Sequence, residues 1–462
     1  MLFNTYAFIF AFWPVTVAVY FLLNRLRLLF AAKLSLTLAS LFFYGYWNVL
    51  YLPLILGSIA FNYAFGRLVQ PRSGRPDARR KPLLIAAIAG NLLLLGYYKY
   101  ADFFLSTLSD WTGHAFPLLR LLLPLGISFF TFTQIAYLVD AYKGKAAEYN
   151  LVGYMLFVTF YPHLIAGPIL HHGEMMPQFD RLRNKIWQWP NAARGVYLFC
   201  IGLFKKVVLA DTFAAAANDG FANATHFVAA WTASLSYTFQ LYFDFSGYTD
   251  MAIGAALVFN IKLPQNFDSP YKALSIQDFW RRWHMTLSRF LRDYVYIPLG
   301  GNRRGEAVML RNLVLTFALG GLWHGAGWTF LLWGLLHGAG QVVHRCWGKL
   351  GRPLPRPLAW FVTFMFINAT WVFFRADSWG QAARILKGMA GLQGVSLADI
   401  KTLAPSLLLI ALFLPIVLLG NNSSRLADTF RPTWRTSVAA AALLVCSLLY
   451  FNRISAFLYF NF

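Results

Sequence analysis

Charge is the scarce ingredient of this sequence. Only 13% of its 462 residues are Asp, Glu, Lys or Arg, against roughly 25% in a soluble globular protein. A chain so poor in polar surface cannot cover itself in water. Cysteine is also scarce: Cys200, Cys346 and Cys446 stand far apart with no CxxC pair, which excludes a disulfide framework and a cysteine-based zinc site. No G-x-x-x-x-G-K-[ST] loop is present, so nucleotide hydrolysis is not indicated. No G-x-S-x-G elbow and no H-E-x-x-H helix occur either. Internal repeats, low-complexity tracts and a soluble domain are likewise missing.

What the chain has instead is apolar length. Hydrophobic residues make up 58% of it, with 44 Phe, 23 Tyr and 16 Trp, in runs of membrane-spanning length from end to end. Lipid offers the backbone no hydrogen-bond partners, so only helices or closed barrels cross it. The runs are continuous rather than alternating, which excludes a barrel. The expected class is an all-α polytopic membrane protein of about 11 crossings, each of about 20 residues. Forty basic against 18 acidic residues leave a net charge of +22. The cations cluster in short loops between apolar runs, which reads as positive-inside topology and attraction to the lipid bilayer, not as nucleic-acid binding.

Taken in order, Phe3 to Leu23 is followed rather than preceded by cations, so it reads as a retained first helix with its N-terminus outside. Leu34 to Val69 needs an interfacial turn, and Tyr44-Gly45-Tyr46-Trp47-Asn48 supplies one. The loop Pro71–Pro82, with Arg72, Arg75, Arg79, Arg80 and Lys81, is expected to be cytoplasmic. Leu83 to Tyr98 then leaves and Leu118 to Val139 returns. Tyr154 to Leu170 contains Pro162, His163, Gly167 and Pro168 and reads as re-entrant. Val196 to Leu209 leaves, and Phe227 to Phe259 re-enters. Residues 262–311 form a cationic face in which Phe279, Trp283, Phe290, Leu291 and Tyr294 recur at helical spacing, predicting an amphipathic interfacial helix. Asn312 to Val343 predicts a tight hairpin or re-entrant pair with Trp323-His324-Gly325 near its depth. Leu358 to Phe374, Leu403 to Leu419 and Val438 to Phe451 complete the bundle and put the C-terminus outside.

An ionisable group in an apolar run is a functional hypothesis by default. His324 lies among Gly320, Gly321, Gly325 and Gly327, which let backbones and a substrate approach closely. Its imidazole, with an unperturbed pKa of about 6.5, can take a proton from a hydroxyl. It could equally be a structural histidine bonded across helices. His337 reads as structural. His284, beside Trp280 and Trp283, is expected at the membrane interface, positioning a thioester, sharing base duty or reaching to headgroups. Asp244, Ser246, Tyr248 and Asp250 either tie helices together or line a polar path. His163, His171, His172 and Glu174 raise a metal site only weakly.

Several ordered motifs resemble the membrane-bound O-acyltransferase (MBOAT) superfamily, in its bacterial alginate O-acetylation branch. They are Tyr242-Phe243-Asp244-Phe245-Ser246-Gly247-Tyr248, Asn266-Phe267 with Pro270-Tyr271, Phe279-Trp280-Arg281-Arg282-Trp283-His284, Leu291-Arg292-Asp293-Tyr294, Leu299-Gly300-Gly301-Asn302-Arg303 and Gly321-Leu322-Trp323-His324-Gly325-Ala326. Pro162-His163-Leu164-Ile165-Ala166-Gly167-Pro168 fits as well. The resemblance is weakest beyond about Gly340 and implies one membrane-embedded domain over 1–462, with N-terminal helices (1–150), a catalytic core (151–345) and C-terminal helices (346–462) around a central tunnel.

The resemblance further implies an O-acyltransferase of the bacterial inner membrane. His324 is the essential histidine and His284 the second active-site position, an asparagine in many eukaryotic relatives. Trp280, Arg281, Arg282, Trp283, Trp323, Asp244, Tyr248 and Asn266 are the expected substrate-binding residues. Acetyl-CoA or an acyl carrier thioester is the expected donor, with no bound cofactor or metal. An extracytoplasmic polysaccharide, alginate or similar, is the expected acceptor, and a periplasmic SGNH-type acetyltransferase the expected partner. Peptidoglycan O-acetylation and D-alanyl transfer to teichoic acid are the neighbouring alternatives. A transporter would show repeated halves, and an export scaffold would tolerate His324→Ala.

Overall fold

The computed structural model describes residues 1–71, 78–148, 150–451 and 457–458. Arg72 and Arg75 of the predicted cytoplasmic loop, and the C-terminal Phe462, lie outside the described residues. Among the described residues there are helices and no strands, as a backbone that must satisfy itself within lipid requires. By length and composition, Ala7–Arg25, Val49–Val69, Arg80–Thr112, Glu306–His324 and Arg356–Arg375 are suited to cross a membrane. Leu29–Gly45, Ala404–Leu419 and Trp434–Leu449 are apolar but shorter.

The chain divides into two compact units. The first comprises Met1–Cys200, Tyr248–Pro264 and Arg431–Ala441. Its helices are α1 (Trp13–Arg25), α2 (Leu29–Gly45), α3 (Leu52–Val69), α4 (Arg80–Thr112), α5 (Ile127–Tyr142), α6 (Leu151–Thr159), α7 (Tyr161–Leu164), α8 (His172–Asp180) and α9 (Trp189–Phe204). The expected interfacial turn is present: α2 stops at Gly45, and the Asn48 side chain accepts from Leu50 N–H at 3.0 Å to open the next helical stretch. The outgoing run is longer than predicted, since α4 has 33 residues and ends only where Gly113 adopts φ +69°. The predicted return run is helical only from Ile127, because Pro117 and Pro124 interrupt the segment before it.

The expected re-entrant segment is broken as its prolines suggest. Pro162 has no N–H to extend α6, and the Tyr161 N–H turns to Ser40 Oγ at 3.2 Å. The Phe157 carbonyl at the end of α6 is met at 2.9 Å by His163 Nε2. His163 therefore repairs a helix end. His171 lies 3.2 Å from Asp140 and His172 lies 3.3 Å from Glu148, so these neighbours serve different carboxylates. Among the described residues no three His, Cys, Asp or Glu converge as metal ligands. A buried amide pair, Asn62 and Asn91, each donating to the other's Oδ1 at 3.0 and 2.7 Å, ties α3 to α4, the kind of polar link that holds helices together where lipid gives no hydrophobic drive.

The second unit comprises Ile201–Gly247, Gln265–Phe430 and Ala442–Phe462. Its helices are α10 (Asp211–Asn223), α11 (Phe227–Val258), α12 (Ile276–Trp280), α13 (Met285–Leu291), α14 (Glu306–His324), α15 (Trp328–Lys349), α16 (Arg356–Arg375), α17 (Trp379–Met389), α18 (Leu397–Thr402), α19 (Ala404–Leu419), α20 (Ser423–Asp428) and α21 (Trp434–Leu449). Helices α9, α11 and α21 contribute residues to both units. The tight hairpin or re-entrant pair predicted around His324 is the antiparallel pair α14–α15. A Cβ on Gly321 would strike the Phe330 carbonyl, and one on Gly334 would strike the Phe317 carbonyl. Glycine at these two positions is what lets the antiparallel backbones touch.

Candidate active site

His324 is the last residue of α14, not a mid-helix group. The helix ends there because Gly325 is fully extended (φ −157°), with its N–H still reaching back to Gly321 at 3.4 Å. The hairpin thus delivers one imidazole at its closed corner. His324 is buried, with ring centroids 4.8 Å from Trp323, 5.2 Å from Trp333 and 5.2 Å from Phe374.

His284 reaches the same place by a different route. The single amphipathic helix expected over Phe279–Tyr294 does not form. It is broken into α12, a bend at Arg281–His284, and α13, which leads into a wider π turn over Arg292–Tyr296. At the break His284 has φ +43° and ψ +53°, a left-handed conformation that costs a non-glycine residue about 1–2 kcal/mol. The segment 266–268 holds it there: Asp268 N–H donates to the Arg282 carbonyl at 2.9 Å and Met285 N–H to the Asn266 carbonyl at 3.0 Å. Hydrophobic periodicity cannot reveal such a kink. Its consequence corrects one of the expected roles: His284 is 0% exposed, which rules out a side chain reaching headgroups.

The kink turns the imidazole against Phe245 at 4.7 Å and Trp323 at 6.1 Å, with His324 only 6.3 Å away between ring centroids. Two histidines from separate motifs therefore share one aromatic chamber within the second unit.

Asn266 sets the chemistry of His284. Its Oδ1 lies 3.2 Å from the Thr286 backbone N–H, 3.0 Å from Thr286 Oγ1 and 3.1 Å from His284 Nδ1. A backbone N–H can only donate, so the amide atom facing it is the oxygen. His284 Nδ1 must then carry the proton, and in the neutral ring Nε2 carries the lone pair. Burial pushes the His284 pKa down to about 3, so the neutral ring is the working form. An oxyanion donor role for His284 requires an Nε2–H, which this tautomer lacks; an acceptor role is what it offers.

The remaining expected residues separate into distinct groups. Trp323 and Asn266 belong to the chamber. Trp283 is buried beneath it, stacked on Phe279 at 5.6 Å and packed on Trp371 at 5.1 Å. Trp280 donates its Nε1–H to His337 Nδ1 at 3.0 Å, and the other nitrogen of His337 meets Thr370 Oγ1 at 3.1 Å. Arg281 is exposed, while Arg282 is held by Asp278 at 2.8 Å. Asp244 is buried and paired with Lys206 at 2.7 Å, and its other oxygen accepts the Leu458 N–H at 3.1 Å. Tyr248 belongs to the first unit, stacked on Phe3 at 5.0 Å. Asp250, also in the first unit, is buried.

Sequence reasoning passed over Lys206, which bridges Asp244 and Asp211 at 2.7 and 2.8 Å. Its signal was visible as a lysine inside an apolar run. Phe245, Trp333 and Phe374 were also missed as chamber walls, because aromatic residues are too frequent here for any one to stand out.

The fold is helical with several helices suited to cross a membrane, and two histidines from separate motifs lie side by side in its second unit. The profile of the membrane-bound O-acyltransferase family matches residues 98–375, and the chain belongs to that family, as an O-acyltransferase. It is 48% identical to the peptidoglycan O-acetyltransferase of Helicobacter pylori, over 100% of this chain and 98% of that protein. It is 40% identical to the probable alginate O-acetylase AlgI of Pseudomonas aeruginosa, over 84% of this chain and 75% of that one. It is 28% identical to the teichoic acid D-alanyltransferase of Streptococcus thermophilus, over 54% and 68%.

Proposed function

We propose that this chain is the membrane acyltransferase of a system that O-acetylates an extracytoplasmic glycan. The observation that carries the reading is the 6.3 Å approach of His284 and His324 inside the aromatic chamber. In this reading His324 takes the proton of the attacking hydroxyl. The hydroxyl oxygen bonds to the thioester carbonyl carbon, the carbon–sulfur bond breaks, and the proton passes to the departing thiolate. His284, held neutral, accepts a hydrogen bond at Nε2 and keeps the hydroxyl or its proton path aligned. The donor is a cytoplasmic thioester, acetyl-CoA or an acylated carrier protein, across the inner membrane. A separate extracytoplasmic acetyltransferase of SGNH type completes delivery.

Peptidoglycan is the favoured acceptor. The support is the 48% relative that matches this chain along its whole length. An exopolysaccharide such as alginate, the acceptor expected from the motifs, is the second reading, supported by the 40% relatives. The test is ester-linked acetate on purified peptidoglycan and on secreted polysaccharide from cells carrying wild type, His324→Ala or His284→Ala, with membrane levels of each protein measured. Loss of peptidoglycan acetate in an abundant, folded His324→Ala protein supports the first reading. Loss confined to secreted polysaccharide supports the second, and acetate unchanged on both overturns the acyltransfer role of this site.

A further inference from the structure

The open end of the α14–α15 hairpin, away from the His324 corner, carries two adjoining cavities that share His344 and Gly348. One, of about 320 Å³, is lined by Gln277, Gln341 and Arg345 besides His344; the other, of about 410 Å³, by Trp347, Arg352 and Arg356. No carboxylate lines either cavity. At this end Glu306 is taken by Lys349. Among the described residues no acidic side chain pairs with Arg345, Arg352 or Arg356. Three arginines thus line two adjoining cavities, Arg345 the one and Arg352 and Arg356 the other, with no internal counter-charge. Like charges gathered this way repel one another unless an anion joins them.

The local fold makes the gathering. Gly351 turns the chain at φ +65°, and Trp347 Nε1–H donates to the Arg352 carbonyl at 2.9 Å, fixing the corner from which Arg352 and Arg356 project. Around the corner the surface is apolar: Val343 is 65% exposed, Leu350 63% and Leu358 46%. In a membrane protein such exposure is contact with acyl chains. Trp347, half-exposed beside the arginines, has the character of a residue at headgroup level. Charge and apolar surface side by side fit one class of ligand.

We propose that this end of the hairpin binds an anionic phospholipid, its headgroup phosphate clamped by Arg345, Arg352 and Arg356 and its chains lying on Val343, Leu350 and Leu358. Arginine suits the task because its planar fork meets phosphate oxygens in pairs. A zwitterionic lipid brings its own ammonium group into the same cationic cavity and is disfavoured. A soluble phosphate gains nothing from the apolar flank. The site is independent of the acyl-transfer chamber, and its failure would leave that reading untouched.

The test uses the purified full-length protein and native mass spectrometry with added phosphatidylglycerol or phosphatidylcholine. Each basic side chain at a membrane surface is worth roughly a factor of five for an anionic lipid, less where solvent screens it. Wild type is expected to retain phosphatidylglycerol about tenfold over phosphatidylcholine. The R345Q/R352Q/R356Q variant should fall to parity, each single variant should lose part of the preference, and the triple Arg→Lys variant should keep most of it. Unfolding temperatures in neutral lipid confirm that the variants are folded. Equal retention of both lipids by wild type, or an undiminished preference in the glutamine variants, overturns the proposal. So does stabilisation by free coenzyme A that the triple variant loses while lipid preference persists, since the site then belongs to a soluble phosphate.

Discussion

Replacing Asn266 by aspartate tests the acceptor role of His284 without changing the shape of the site. Oδ1 would still accept from Thr286 N–H and from His284 Nδ1, which lie 3.2 and 3.1 Å away. What changes is charge. An opposite charge at such a distance moves a pKa by about 1–3 units. The His284 value of about 3 would therefore rise to about 4–6. A raised pKa means that the ring is protonated below that value and neutral above it. If Nε2 must offer a lone pair, activity of Asn266→Asp falls relative to wild type as pH drops through about 6, reaching about one tenth near pH 5 when the shift is at its upper limit. Wild type shows no loss from His284 in that range.

The assay is acetyl transfer from a thioester donor in membrane vesicles between pH 5 and 8, read as the ratio of variant to wild type at each pH. The ratio cancels titration of His324 and of the donor. A ratio that rises toward low pH would refute the acceptor role and make His284 a proton donor to the oxyanion. A flat ratio in a variant whose His284 is shown by NMR titration to gain its proton between pH 5 and 6 would remove His284 from the proton path altogether. Asn266→Ala is not an equivalent experiment, because it strips the acceptor from buried donors at about 1–3 kcal/mol each and confounds chemistry with folding.

Lys206→Met removes the cation that pairs with both Asp211 and Asp244 and should cost about 3–5 kcal/mol. It should lower the detergent unfolding temperature, and Asp244→Asn added to it should recover part of the loss; no loss on the first change would show that the ion pair is not structural. Gly321→Ala puts a methyl group against the Phe330 carbonyl and should destabilise by about 1–3 kcal/mol. An unchanged unfolding temperature would mean that the hairpin spreads freely. His337→Leu strands the Trp280 indole N–H and should cost about 1–3 kcal/mol, whereas His337→Gln, which can both accept and donate, should cost less. Equal losses would refute the hydrogen-bond account of His337.

The class and the hairpin were legible because both follow from long-range composition. Apolar length forces helices, and the basic residues at both ends of Asn312 to Val343 require the run between them to turn back. The kink at His284 was not legible. Its cause lies about 20 residues upstream in sequence, in the bonds from Asn266 and Asp268 to the backbone and side chains of 282–286. Periodicity over Phe279–Tyr294 reports only which residues prefer apolar surroundings, and those preferences are the same whether the helix runs straight or breaks. The break itself decides whether His284 meets lipid headgroups or His324. The basic residues divided in the same way. Arg282 was expected near substrate by its place in the motif, yet Asp278, one helical turn earlier, holds it at 2.8 Å. Lys206 looked like part of a crossing and is the counter-charge of Asp244.

Three buried histidines in the second unit show how hydrogen bonding separates structure from chemistry. His337 accepts the Trp280 N–H at Nδ1, so its proton sits on Nε2 and is given to Thr370 Oγ1, whose own hydroxyl donates to the Ile367 carbonyl at 2.9 Å. Both ring nitrogens are committed, and moving its proton would break the link between α12, α15 and α16. His284 is anchored through the opposite nitrogen, by a carbonyl oxygen, which makes Nε2 an acceptor while leaving the ring's orientation fixed. His324 is positioned by the end of a helix, at a glycine corner among Trp323, Trp333 and Phe374. A proton-transfer pair needs one ring whose tautomer is set and another able to exchange its proton. In this chain the Asn266 amide performs the first task and the α14 terminus positions the second, which is why a substitution at Asn266 should read out in the pH dependence of transfer before it reads out anywhere else.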